Sequence, residues 1–294
     1  RYIDAKYVEE LPREKLEDQA IRNLLKELDP HSTYISREEL QEINEQLDGS
    51  FEGIGVEFML LDDTIVVVTP IAGGPAEQSG ILPGDRIVEV EDTLVAGTEE
   101  TVKSALARLK GEKGSRVQIG VLREQEEGIQ RYEIIRDEIP IKSVSAAFML
   151  NEQTGYLKVN RFSSTTYREF MENLEGMINE QGLQHLVLDL RQNPGGYLEE
   201  ATKMLNQFFK EKDRLLVYMD GEQIRKTEHK TTGKGFFPID HIAVLIDEGS
   251  ASASEIVAGA LQDLDRGVII GRRSFGKGLV QEQYRLSDGS AIQI

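Results

Sequence analysis

The spacing of apolar positions changes character twice along the chain. Near the start, Leu16, Ala20, Leu24 and Leu28 recur every fourth residue with Ile21 and Leu25 beside them, which predicts a helix with one apolar face. Asp29-Pro30 ends it, because the residue before a proline is driven out of helical geometry. Ser36 followed by Glu39 makes a capping box that opens a second helix through Leu40, Ile43 and Leu47, and Gly49 stops it. Residues 1–50 read as a helical packing or dimerisation segment without chemistry of its own.

From 51 to 137 the period shortens to that of strands. Phe51-Glu52-Gly53-Ile54-Gly55-Val56 leads into a strand over 65–69, and Gly73-Gly74-Pro75-Ala76 into a short helix ending near Ser79. A strand over 87–90 follows, then a helix that Thr98 can cap, with the stripe Val102, Leu106 and Leu109. Its capping box is incomplete, because Thr101 stands where an acid or amide is needed. Strands over 116–122 and 132–136 flank an acidic hairpin tip at 124–128.

From 138 to 294 strands and helices alternate. Strands are predicted over 155–159, 186–190, 215–219, 242–246, 268–270 and 279–284. Helices are expected after Thr166, whose box partner is Glu169, after Gly196 and near Ser252, and a hairpin turn at Asp220-Gly221. Such alternation predicts a mixed α/β fold. The chain stops within an apparent strand, as if the domain ran further.

Composition removes several function classes. The net charge is −18, which argues against nucleic acid, whose phosphates need clustered Lys and Arg. Cys is absent, so neither disulfides nor thiolate chemistry arise. The His residues, His31, His185, His229 and His241, share no helical spacing and form no His-Glu-x-x-His, so no metal site is expected. No apolar run reaches the roughly 20 residues of a membrane helix. The first residue is Arg1, which leaves a removed targeting segment open.

Three segments carry chemistry. In Asp247-Glu248-Gly249-Ser250-Ala251-Ser252-Ala253-Ser254-Glu255 a serine lies between an apolar strand and a helix. There, helical N–H groups and the helix dipole favour developing negative charge. Taken alone, these serines can equally be helix caps. Gly271-Arg272-Arg273-Ser274-Phe275-Gly276-Lys277-Gly278 nearly spells a phosphate-binding loop. It puts Gly278 where a hydroxyl must hold magnesium, and a strand where a helix must follow, so no nucleotide is expected. A lysine between glycines can instead enter a dehydrated site and serve as a neutral general base, or it can be a solvated surface charge. Asp189-Leu190-Arg191-Gln192-Asn193-Pro194-Gly195-Gly196 can present backbone N–H groups to an oxyanion, or be an ordinary loop.

Together with Asp29-Pro30-His31-Ser32-Thr33-Tyr34, these motifs resemble the carboxy-terminal processing proteases, also called tail-specific proteases, over nearly the whole chain. The resemblance implies a serine peptidase core over 138–294, shortened at its C-terminus. It makes Ser252 the nucleophile, Lys277 the base and Gln281 the residue that orients the lysine. On a strand, positions 277 and 281 would share a face. The oxyanion hole would be an N–H of Gly195 or Gly196 with that of Ala253. No cofactor is implied. Residues 51–137 look like an inserted PDZ domain, with Gly53, Ile54, Gly55 and Val56 as carboxylate loop and Val102 and Leu106 on the other groove wall. Such a domain binds extended C-terminal tails as an added strand.

The implied partners are protein or peptide substrates with apolar C-terminal tails, recruited by a PDZ domain that gates activity. A second copy docking through the N-terminal helices is a further expectation. The implied location is a periplasm, a cell envelope or a thylakoid lumen. Two other functions stay open on the sequence: a non-catalytic peptide-binding scaffold, and a lipophilic-ligand carrier of the same fold.

Overall fold

The computed structural model describes residues 6–8, 13–97 and 99–294, and of residues 13–15, 99–101 and 103 the backbone alone. Thr98, the expected cap, lies outside the described residues. The chain forms two compact units, one of Arg1–Asp48 with Lys142–Ile294 and one of Gly49–Ile141. The N-terminal segment therefore belongs to the same unit as the α/β core.

That segment comprises α1 (Arg13–Lys26), β1 (Thr33–Ile35) and α2 (Arg37–Asp48). The capping box of α2 forms: Ser36 N–H donates to Glu39 Oε2 at 2.8 Å and Glu39 N–H to Ser36 Oγ at 3.3 Å. In α1 the inward face is rotated from the predicted stripe. Leu25 is buried, while Leu24 and, beyond the helix end, Leu28 are exposed at 67% and 59%.

The second unit runs β2 (Ser50–Gly53), β3 (Val56–Leu61), β4 (Thr64–Pro70), α3 (Pro75–Gln78), β5 (Arg86–Val90), β6 (Thr93–Leu94), α4 (Glu99–Leu109), β7 (Arg116–Leu122), β8 (Ile129–Ile135) and β9 (Asp137–Pro140). Its main sheet has the order β3-β4-β5-β7-β8, antiparallel throughout, with β6 paired to β5. Ile65, Ile87, Val102, Ala105, Val117 and Ile134 fill its core. The division falls at 141/142, not 137/138, because β9 pairs with β2 and is held in this unit.

The core then runs β10 (Val144–Met149), β11 (Thr154–Val159), α5 (Thr166–Asn179), β12 (His185–Asp189), α6 (Leu198–Leu205), β13 (Lys212–Gly221), β14 (Ile224–Thr232), β15 (His241–Ile246), α7 (Ala253–Asp263), β16 (Val268–Gly271), β17 (Gln283–Arg285) and β18 (Ala291–Gln293). Its sheet has the order β10-β11-β12-β15-β16, parallel from β11 to β16. Phe162, Phe170, Leu174, Leu188, Val244 and Leu261 are buried against it. The parallel strands end on one edge, the place where open α/β sheets present their ligand sites.

Three local expectations are corrected. Thr166 does not cap α5. Its hydroxyl accepts the Ser163 N–H at 2.8 Å, and Glu169 instead meets Thr165 Oγ1 at 2.7 Å. The hairpin β13–β14 turns after Gly221, which pairs with Ile224, because a register shift between Met219 and Gly221 carries the ladder past Asp220. The segment 279–284 is not one strand: residues 279–281 are irregular, and pairing with the β18 side starts at Glu282, which exchanges backbone bonds with Ile294 ahead of β17.

Candidate active site

The strands β12 and β15 are neighbours, with Asp189 opposite Leu245, so the loops that leave their carboxyl ends emerge side by side. Hydrogen bonds weld the two loops together. Buried Ser250 donates its hydroxyl to the Leu190 carbonyl at 2.8 Å, and buried Ser254 donates to the Asn193 carbonyl at 3.0 Å. The Ala251 N–H reaches that same Asn193 carbonyl at 3.0 Å. Asn193, fully buried, donates its amide to the Val159 carbonyl at 2.9 Å. The outer serines are thus structural, and their bonds hold Ser252 between them.

Ser252 stands at the N-cap of α7 with φ 55° and ψ −114°. A non-glycine residue there carries about 1–3 kcal/mol of backbone strain, which persists only where its surroundings over-determine it. A tight strand-to-helix turn of this kind exposes a nucleophile. Gly195, at φ +99°, packs directly on the turn. A Cβ at this position would lie 2.7 Å from the Ala251 carbonyl oxygen, 2.9 Å from the Ala253 nitrogen and 2.9 Å from the Ser252 Cβ. Only glycine permits this approach.

The Gly195 N–H donates to Asn193 Oδ1 at 2.9 Å and is therefore engaged. Gly196 is fixed through its neighbours, with Phe162 N–H to the Gly195 carbonyl at 2.9 Å and Tyr197 N–H to the Phe162 carbonyl at 2.8 Å. Among the described residues the N–H groups of Gly196 and Ala253 have no acceptor.

Glu255 is the residue that the sequence reading missed as part of the site. Its Oε2 accepts the N–H of Ser252 at 2.8 Å and of Lys277 at 2.9 Å, and its Oε1 accepts the Gly276 N–H at 2.7 Å and the Ser274 hydroxyl at 2.7 Å. One carboxylate thus clasps the Ser252 turn to the Lys277 loop. Burial works against its charge, but these four bonds outweigh burial and hold the carboxyl below its ordinary range. A signal existed, because Ser252 and Glu255 have the capping-box spacing recognised at Ser36 and Glu39.

The lysine side chain is half-buried. Among the described residues no hydrogen bond joins Lys277 Nζ to Ser252 Oγ or to Gln281. The face-sharing argument for 277 and 281 does not apply, since that stretch is not a strand. Gln281 instead donates Nε2–H to the His31 carbonyl at 2.6 Å.

Two buried carboxylates brace the loops from behind. Asp189 accepts the Tyr156 hydroxyl at 2.5 Å and the Arg191 guanidinium at 2.6–3.1 Å. Asp247 receives the Gln192 N–H at 2.9 Å, its side-chain amide at 2.8 Å and the Gly249 N–H at 3.0 Å. Burial raises both carboxyls, and these bonds more than reverse it, leaving both below the ordinary range.

The expected peptide-binding residues lie in the second unit. Ile54 and Val102 are core residues there, each 2% exposed, while Val56 and Leu106 are half-buried. Gly55 has φ +75° in the loop that enters β3. β3 is an edge strand, with Phe58 and Met59 exposed.

A family model described as "Peptidase family S41" matches residues 153–294, and one described as "PDZ domain" matches residues 53–128. The carboxy-terminal processing protease CtpB of Bacillus subtilis is 34% identical over 296 residues, covering 99% of this chain and 60% of that protein. A probable CtpA-like serine protease of Staphylococcus epidermidis is 35% identical over 294 residues, covering 99% of this chain and 58% of that protein. This chain thus spans about six-tenths of the length of these curated relatives. Among solved structures, a photosystem II D1 C-terminal processing protease superposes over 100% of this chain and 78% of its own, with a TM-score of 0.51 and 30% identity.

Proposed function

The chain belongs to peptidase family S41 and carries a PDZ domain, and on that footing we propose that it is a serine endopeptidase acting on protein substrates recognised by their C-terminal tails. The observation that carries this reading is the Glu255 clasp, which joins a strained Ser252 turn to the loop of Lys277. A helix cap alone would need no lysine loop bound to it.

In this mechanism the neutral Lys277 amine takes the Ser252 Oγ proton as Oγ attacks the scissile carbonyl carbon. The bound substrate would exclude water from the half-buried lysine side chain. The developing oxyanion takes the N–H groups of Gly196 and Ala253, at the positive end of the α7 dipole. Gly195 serves by shape, since Asn193 already occupies its N–H. The lysine then returns its proton to the leaving amine. Lys277 then takes a proton from a water, whose oxygen bonds to the acyl carbon as the bond to Ser252 Oγ breaks, and passes that proton to Oγ, so that the carboxylate product leaves and both residues are restored.

The PDZ domain recruits an apolar C-terminal tail as a strand added beside β3 and gates the core. The exposed Leu24 and Leu28 support a second copy docking through the N-terminal helices. The location that suits this activity is a periplasm or cell envelope. Cleavage of an unfolded, apolar-tailed protein by the wild type and not by Ser252→Ala tests the reading. Equal binding and no cleavage by either would place the protein among scaffolds or carriers.

A further inference from the structure

The motif Asp29-Pro30-His31-Ser32 stands far from Ser252 in sequence, and the mechanism above does not use it. In the structure it is a tight, self-bonded turn. Asp29 Oδ1 accepts the N–H of His31 at 2.6 Å and of Ser32 at 2.7 Å, and Oδ2 accepts the Ser32 hydroxyl at 2.6 Å. The Ser32 hydroxyl bond and these backbone bonds hold the Asp29 carboxyl below its ordinary range. The turn aims the His31 carbonyl at Gln281, whose Nε2 lies 2.6 Å away. The His31 ring lies 6.5 Å from that of Phe275, two residues before Lys277.

The turn and the glutamine share one frame. β1 begins immediately after the turn and pairs with β18, which pairs in turn with β17. Glu282, adjacent to Gln281, exchanges backbone bonds of 2.9 and 3.0 Å with Ile294. A three-stranded sheet therefore fixes the distance between His31 and Gln281.

The orientation of the amide follows from donor chemistry. A carbonyl oxygen only accepts, so the end of Gln281 that faces His31 is the NH2. The end left free is Oε1, an acceptor. An acceptor can hold a Lys277 N–H and turn the amine lone pair toward a hydroxyl; the NH2 end cannot.

We propose that the Asp29–Ser32 turn is a positioning element for catalysis: its His31 carbonyl locks the Gln281 amide with Oε1 available to the Lys277 amine. This inference rests on the Ser252–Lys277 reading and deepens it. Asp29, His31 and Ser32 touch no substrate and act through Gln281.

The test is a double-mutant cycle on the intact protein, with kcat and KM measured for an unfolded protein substrate below the melting temperature of every variant. Asp29→Ala frees the turn and lowers kcat about tenfold to a hundredfold, the cost of a displacement near 1 Å, with KM within about twofold. Asp29→Asn restores most of the rate, because its Oδ1 still accepts both amides and its NH2 can donate to Ser32 Oγ. Gln281→Ala loses a similar factor. The double variant Asp29→Ala/Gln281→Ala is no slower than the worse single variant, because both remove the same lock. Losses that multiply, or wild-type kcat in Asp29→Ala, would overturn the positioning role. Undiminished turnover in Lys277→Ala would instead overturn the Ser–Lys reading, and this inference with it.

Discussion

Replacing Glu255 by Gln isolates the clasp from simple side-chain volume. Each carboxylate oxygen now accepts two donors: Ser252 and Lys277 N–H on one, Gly276 N–H and the Ser274 hydroxyl on the other. Glutamine keeps its oxygen on the Ser252 and Lys277 N–H groups and turns its NH2 on the other pair, where the Ser274 hydroxyl can accept but the Gly276 N–H loses its acceptor. One charge-assisted bond, at about 1.5–3 kcal/mol, is lost outright and the others become neutral and weaker, and water at this half-exposed site restores part of that. The expected destabilisation is about 2–4 kcal/mol, or a melting temperature lower by roughly 5–15 °C.

Turnover falls further than stability requires. Release of the Lys277 loop by about 1 Å costs on the order of a hundredfold in rate. Glu255→Gln and Glu255→Ala therefore resemble one another. The pH dependence carries the same signature. The folded carboxyl has a lowered pKa, so its stabilisation is complete above the unfolded carboxyl value and fades as pH falls through the folded one. Glu255→Gln flattens that acid limb of the stability curve. Turnover on an unfolded substrate, with thermal melts from pH 3 to 8, measures both effects. Wild-type kcat in a folded Glu255→Gln protein would refute the clasp.

Gly195→Ala places a methyl 2.9 Å from the Ser252 Cβ at φ +99°, so acylation by a fluorophosphonate probe should drop at least about a hundredfold. Gly196→Ala would meet the Phe162 carbonyl oxygen at 2.1 Å, and a thermal melt should show it losing several kcal/mol outright. Asp189→Ala strands the Tyr156 hydroxyl and the half-exposed Arg191, and denaturant unfolding should register about 2–4 kcal/mol. Lys277→Arg should be as inactive as Lys277→Ala in a cleavage assay, because a guanidinium stays charged and cannot take the serine proton.

The helices and sheets of the core were legible where burial follows the period: Phe170, Leu174 and Met177 line α5, and Val244 lies within β15, as their spacing predicts. The α1 stripe was misread because Leu24 and Leu28 repeat at helical spacing yet remain exposed, while Leu25 between them turns inward. Periodicity reports a face, not which face finds a partner. The apolar Leu279 and Val280 suggest a strand after Lys277; both are exposed, and backbone pairing starts only at Glu282.

In the site, motif composition pointed to Ser252, Lys277 and the Gly195-Gly196 turn, which the fold gathers at one sheet edge. The bonds that gather them were not legible. Glu255 to Lys277 and Gln281 to His31 join residues far apart in sequence, and no local propensity encodes such contacts. The roles of Ser250 and Ser254 as buried donors to the neighbouring loop likewise appear only when that loop is in place.

The most direct measurement is hydrolysis of casein by the intact wild-type protein, by Ser252→Ala and by Lys277→Ala, each verified as folded. The account predicts cleavage by the wild type alone. Cleavage that persists in folded Ser252→Ala or Lys277→Ala would contradict it.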